Sequence, residues 1–351
     1  MLADWVTLKC PDVSLRHREA ASRRQAELTK PAGALGRLEE LACWFAARQM
    51  RAIPAAIVPA ITVFAADHGV AARGVSAYPS EVTAQMVANF ARGGAAINVL
   101  ARAIGARLTV VDVGVAAPLA SLAGVVHAKV RPGTADLSVS PAMTRAEAER
   151  ALAIGAEHAA LDVRAGATLL IAGDMGIGNT TSSACLICAL AGEPPARIVG
   201  AGTGIDDATR ARKIDVVSRA LERAGSRTPR DGVEWLAEVG GLEIAAIAGY
   251  YLEAARGGVP ALVDGFIASA AALAARAIAP RAVEWLLASH ASAELGHRLA
   301  LRALGLDPLV DLSLRLGEGT GAALVVPLVN AALKLHAEMA TFAEAGVAGR
   351  A

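Results

Sequence analysis

The chain has 351 residues, enough for one large core with a smaller appendage. Its 34 lysines and arginines nearly cancel its 33 aspartates and glutamates, so no field of one sign exists to hold nucleic acid or an anionic membrane. Apolar residues are abundant but spread through alanine-rich stretches. The best candidate for a membrane span, Val259 to Pro280, carries Asp264 and Arg276 inside it, which argues against one.

The opening MLADWVTLKCPDVSLRHREA has an early acid and no apolar block, so no secretory signal is expected and a cytoplasmic location is. The first 50 or so residues lack strand signals, and LGRLEELACWFAARQM sets apolar residues at helical spacing. Short apolar runs of strand length then recur, each followed by a helical pattern: ITVFAADHG, LTVVDVG, TLLIAGDMGIG, ARIVGAGTG, VPALVDG and EWLLASH. That alternation predicts an α/β fold with a parallel sheet covered by helices on both faces, whose ligands bind beyond the carboxyl ends of the strands. From about Gly321 the pattern is helical again, with a kink expected at Pro327. The two ends are expected to pack as a small helical lobe, residues 1–55 with about 325–351, on an α/β body spanning 56–324 that carries the site.

Several of the loops after those runs hold candidate chemistry. GDMGIGNTTSS (Gly173 to Ser183) follows a strand and opens a helix, an arrangement that aims backbone N–H groups and a positive helix end at a phosphate. The plainer alternative is that its glycines only make the turn. The spacing is GxxGxG rather than GxGxxG, and no acidic residue ends ARIVGAG, so NAD binding is disfavoured. The loop also lacks the GK[ST] ending of a nucleotide-triphosphate loop. GAGTGIDD (Gly200 to Asp207) repeats the device, with Lys213 on the helix behind it as a candidate cation or a solvated surface lysine.

RLGEGTG (Arg315 to Gly321) sets Glu318 between two glycines at the mouth of the last long helix. Glutamate suits a purely structural turn poorly, which leaves a helix-end charge or a general base approached closely by substrate. AADHGVAARGVSAYPSEVTAQMV offers Asp67 and His68 at a strand end, then Ser76, Tyr78, Pro79, Gln85 and Met86. These make either a flat pocket with a polar handle or a loop packed on the core. His290 reads first as a packing residue. The CxxC of Cys185 and Cys188 has no second pair and sits in an apolar helical run, so core packing is expected.

Seven of these segments, in one order and across nearly the whole chain, resemble the nicotinate-nucleotide dimethylbenzimidazole phosphoribosyltransferases: KPAGALGRLEEL, ADHGV, the Tyr78 to Met86 segment, GDMGIGNTT, VDGFIASAA, RLGEGTGAAL and EMATFAEAGV. The resemblance implies a homodimer with a large Rossmann-like lobe and a small helical lobe, and catalysis without a metal or other cofactor. Its small-molecule partners would be nicotinate mononucleotide and 5,6-dimethylbenzimidazole, with no nucleic acid and no integral membrane association. Glu318 matches the base that accepts the benzimidazole proton. Ser76, Tyr78, Pro79, Gln85, Met86 and Leu316 would line the acceptor pocket. For the nucleotide, the resemblance implies Asp174, Met175, Gly176, Ile177, Gly178, Asn179 and Thr180 from one loop, and Gly202, Thr203, Gly204 and Lys213 from the next. Ser289, Arg315 and Gly317 complete that set. The chain departs from the family pattern at Asp174, where glutamate is expected, and at Leu295, where proline is common. Two rival readings are a transferase of the same fold with another acceptor base or a phenol, and a non-catalytic nucleotide sensor.

Overall fold

A computed structural model of the chain describes residues 9–119, 122–200, 204–225 and 231–348. The first part holds α1 (Leu15–Glu27), α2 (Arg37–Gln49), β1 (Pro59–Ala66), α3 (Glu81–Arg92), α4 (Ala96–Ile104), β2 (Arg107–Gly114) and β3 (Val125–His127). Then come α5 (Arg145–Arg164), β4 (Leu169–Met175), α6 (Asn179–Ala191), α7 (Pro195–Ile198), α8 (Asp207–Gly225), α9 (Gly232–Val239) and α10 (Leu242–Arg256). The last part holds β5 (Ala261–Val263), α11 (Phe266–Ile278), β6 (Leu286–Ala288), β7 (His290–Ser292), α12 (His297–Leu304), β8 (Val310–Leu314), α13 (Thr320–Glu338) and α14 (Phe342–Ala345).

Six strands form one parallel sheet in the order β3-β2-β1-β4-β5-β6. Successive side chains on a strand point to opposite faces, and here both faces are apolar. On β1, Ala60, Phe64 and Ala66 join the cluster under α5, α6, α10 and α11, while Ile61, Val63 and Ala65 join the one under α2, α3, α4 and α13. All eight residues of β1 are consequently buried. Helices α5 and α10 approach until a Cβ on Gly155 would lie 1.7 Å from the Ala246 carbonyl oxygen, and one on Gly249 would lie 1.9 Å from that of Leu152. Only glycine permits that contact.

ARIVG, the start of ARIVGAGTG and the part described before residue 201, is not a strand. The prolines at 194 and 195 preset a helical turn, and α7 buries Ile198 between α6 and α8 instead of pairing it. Among the described residues the strand that follows β4 is therefore β5, with Asp264 just after its last residue, far beyond the ~20 residues that separate the two in a dinucleotide-binding unit. A two-stranded parallel sheet, β7 with β8, lay outside the sequence expectation. Among the described residues, the helix long and apolar enough to cross a membrane is α13 rather than Val259–Pro280, and 56% of its span is buried inside the protein. That makes it a core helix.

The C-terminal end of α13 is closed by α1. Arg24 donates to the carbonyls of His336 (2.8 Å), Ala337 (3.0 Å) and Met339 (3.4 Å), and Gln25 bonds the His336 ring (2.8 Å). A guanidinium on the last carbonyls also suits the helix dipole. Arg24→Ala should therefore lower unfolding stability by about 1–3 kcal/mol, read as a lower midpoint in urea, with turnover little changed.

Candidate active site

The strand order places a topological switch between β1 and β4, where chain connections leave in opposite directions and a crevice opens at the carboxyl ends. A cavity of about 390 Å³ lies in that region. Its wall takes residues from the ends of β4 and β7, from α3, α8 and the start of α11, and from the Arg315–Glu318 turn.

The loop after β4 supplies one side. Asp174, Met175, Gly176, Ile177, Gly178, Asn179 and Thr180 all border the cavity, and α6 starts at Asn179 with its positive end toward them. The glycines have specific reasons. A Cβ on Gly176 would lie 2.2 Å from the Ala66 carbonyl oxygen, and Gly178 has φ 97°. Behind the loop, His68 Nε2 is 2.7 Å from Glu243 Oε1, with both side chains wholly buried, so His68 props the loop and does not enter the cavity. Asp67 likewise turns back, its Oδ2 accepting from Ala116 N at 2.7 Å.

Lys213 reaches this loop from α8. It is almost fully buried, and its Nζ donates to Thr180 Oγ1 at 2.6 Å. Burial pulls its ammonium down to about 8, with Glu294 and the Cys185 thiol acting the other way. The charged form exists below that value and is lost as pH rises through it. Affinity for a phosphorylated ligand should accordingly weaken above about pH 8, and Lys213→Met should abolish that limb in calorimetric titrations run across pH.

The carboxyl of Asp174 is buried, and Asp264, Glu243 and Glu318 add negative charge around it. Together they push it well above the usual carboxylate range, against the pull of the Asn179 amide, which donates at 3.0 Å. A carboxyl held there takes a proton readily and can then donate a hydrogen bond itself.

Against the end of β4 packs the turn Gly317–Glu318–Gly319, with φ values of 83°, 64° and 87°. Left-handed backbone is ordinary for glycine but costs a glutamate of order 1–3 kcal/mol, and strain of that kind gathers at functional sites. The turn is clamped against β4, since a Cβ on Gly173 would lie 2.2 Å from the Glu318 carbonyl oxygen. Asp264, at the end of β5, holds its other side by accepting from Gly319 N (3.2 Å) and Ala322 N (2.8 Å). Glu318 itself is 5% exposed and borders the cavity, its Oε2 accepting from Ile97 N of α4 at 3.3 Å. Burial raises its carboxyl above the usual range and Asp264 adds to this, while the Ile97 amide lowers it.

Of the acceptor-side residues singled out above, Ser76, Tyr78, Met86 and Leu316 border the cavity, with Tyr78 52% and Leu316 60% exposed at its mouth. Pro79 and Gln85 are exposed and not on its wall; Gln85 lies on the outer side of α3, one residue from Met86. On the nucleotide side, Arg315 and Gly317 line the cavity. Gly204 is exposed away from it, although its neighbour Ile205 reaches the wall. Gly202 and Thr203 lie outside the described residues. Ser289 is buried behind the site, donating to the Val263 carbonyl at 2.7 Å. His290, expected as a packing residue, is on the wall with Phe266, Ser292 and Glu294. Cys185 and Cys188 are buried in α6, and burial pushes the Cys188 thiol up to about 12, so neither is poised to react.

Comparison with known proteins gives one consistent result. A family model described as Phosphoribosyltransferase matches residues 10–347. A nicotinate-nucleotide–dimethylbenzimidazole phosphoribosyltransferase from Chromobacterium violaceum is 62% identical over 338 residues, covering 96% of this chain and 98% of its own. The protein of the same name from Pseudomonas aeruginosa is 51% identical over 350 residues, covering 100% and 99%. The crystal structure of this phosphoribosyltransferase from Thermus thermophilus superposes with a TM-score of 0.91 at 51% identity, over 96% of this chain and 100% of that one.

Proposed function

The chain belongs to the nicotinate-nucleotide–dimethylbenzimidazole phosphoribosyltransferase family, and on that premise we propose that it moves 5-phosphoribose from nicotinate mononucleotide to 5,6-dimethylbenzimidazole. The products are nicotinate and α-ribazole 5′-phosphate. The observation that carries the assignment of roles is Glu318: a buried carboxyl of raised proton affinity, held in left-handed backbone on the wall of the cavity that the Gly176–Thr180 loop also lines.

Nicotinate mononucleotide already carries a pyridinium leaving group on C1′ of its ribose, so no strong acid is required. One azole nitrogen of the benzimidazole attacks C1′, and the C1′–N bond to nicotinate breaks with its electron pair passing to the pyridine nitrogen. The other azole nitrogen loses its proton to the Glu318 carboxylate. Attack opposite the departing ring inverts the anomeric centre and yields the α-riboside. The Gly176–Thr180 loop and Lys213 hold the 5′-phosphate, and Asp174 serves a ribose hydroxyl. Tyr78, Met86 and Leu316 form the apolar slot for the base. The same reading takes the protein as a cytoplasmic homodimer, with residues 1–55 and 325–351 forming a helical lobe beside the 56–324 body. The packing of α1 and α2 on each other and of α2 on α13 supports that lobe.

Acceptor choice is tested by offering 5,6-dimethylbenzimidazole, benzimidazole, adenine and phenol together with nicotinate mononucleotide and resolving the products by mass spectrometry. The dimethylbenzimidazole riboside should dominate. A dominant purine or phenolic riboside would assign the slot to another acceptor.

A further inference from the structure

Asp264 is 1% exposed and lies behind the cavity wall. Both of its oxygens are engaged by backbone amides at the start of α13, Oδ2 by Gly319 N and Oδ1 by Ala322 N. Burial raises the Asp264 carboxyl above its usual range, while His290 and these amide contacts, which use both acceptor oxygens of a carboxylate, pull it back toward the charged form. The start of a helix carries roughly half a positive charge, and Glu318 immediately precedes the glycine that caps this one. With those amides unmatched, the helix end would stabilise the Glu318 carboxylate and make it a weaker proton acceptor.

We propose that Asp264 is a positioning residue that keeps Glu318 basic: it takes up the α13 amides and sets a second negative charge beside the catalytic turn. This rests on the reading of Glu318 as the proton acceptor. The other groups facing the pair come from every element packed around it. Asp174 on β4, whose carboxyl is held well above the usual range by burial and its acidic neighbours, lies beside the turn: a Cβ on Gly317 would be 3.2 Å from its carboxyl oxygens. His290 on β7 has Nδ1 3.9 Å from Asp264 Oδ1 and opposes it when protonated. Arg315 precedes the turn. Tyr251 on α10 donates its hydroxyl to the Leu262 carbonyl at 3.3 Å. On α4, the Ile97 amide touches Glu318, while Arg102 is turned to the Gly93 carbonyl at 3.2 Å. The net arrangement is a group of buried carboxyls around the turn, in which Asp264 is the one tied to the helix that follows.

The base works deprotonated, so turnover is lost as pH falls through the Glu318 pKa, and removing the Asp264 charge must lower that pKa. Asp264→Asn should therefore move the acidic limb of the kcat profile down by about one pH unit and lower the plateau. Asp264→Glu, which keeps the charge, should leave the limb near its native position. Carbon-13 titration of labelled glutamate, with the Glu318 signal assigned by its absence in Glu318→Gln, should show the same downward shift. That readout needs no turnover, so it separates failure of this proposal from failure of the base assignment. An Asp264→Asn protein that loses activity while the limb and the Glu318 titration stay in place would make Asp264 a structural cap only and overturn the proposal. Should that variant not fold, Asp264→Glu decides. A Glu318 titration at or above the native value supports the role, and one below it contradicts it.

Discussion

Glu318→Gln is expected to lower turnover by about 100- to 10,000-fold, the usual contribution of a positioned base, or roughly 3–5 kcal/mol at about 1.4 per tenfold. The substitution keeps the side chain's shape, and the glutamine oxygen can still accept from Ile97 N, which the native carboxylate does at 3.3 Å. Stability and the affinity for nicotinate mononucleotide should therefore stay near native. Rapid-quench measurement of nicotinate release, with calorimetric binding beside it, reads both quantities. Loss of binding in step with turnover would mean that the residue holds substrate and does not move a proton.

Gly173→Ala is expected to lower activity by at least about 100-fold from outside the cavity wall. Its new methyl would lie 2.2 Å from the Glu318 carbonyl oxygen and 2.5 Å from the carbonyl carbon. Both are backbone atoms, so the turn itself must shift, and misplacing a reacting group by about 1 Å is enough for a loss of that size. Overpacking should also cost about 1–3 kcal/mol of stability. Gly225→Ala, where no atom beyond its chain neighbours and its own helix backbone lies within 4 Å of the added carbon, is the matched control and should leave both quantities near native. Native activity in Gly173→Ala would show that the turn tolerates displacement, which the base assignment does not allow.

The alternation of apolar strands and amphipathic helices is enough to read the sheet at β1, β2 and β4, each long enough for its pattern to show, and the apolar runs VPALVDG and EWLLASH also mark the short strands β5 and β6. It failed at residues 195–199, where a proline in the first helical position outweighed an apolar run of strand length. The three-residue strands β3 and β7 are too short for any period-2 signal, so the small β7–β8 sheet that carries His290 was not legible. At the site, Glu318 is legible because it sits between glycines that its turn demands, whereas Asp174 is legible only through the family resemblance, in which glutamate is expected at that position. Gln85 did not follow Met86 to the cavity, because one residue along a helix turns the side chain by about 100°. The role of Asp264 is not legible for a different reason: its partners, Gly319 N and Ala322 N, lie 55 and 58 residues further along the chain. Nothing local in VDG announces them.

The proposed reaction is a displacement at C1′. The direct measurement is incubation with nicotinate mononucleotide and 5,6-dimethylbenzimidazole, with nicotinate and the riboside counted by mass spectrometry and the anomer assigned by proton NMR. The predicted result is one nicotinate released for each riboside phosphate formed, in the α configuration. Tight binding of the mononucleotide with no nicotinate released on adding any base, or a β-riboside product, would contradict it.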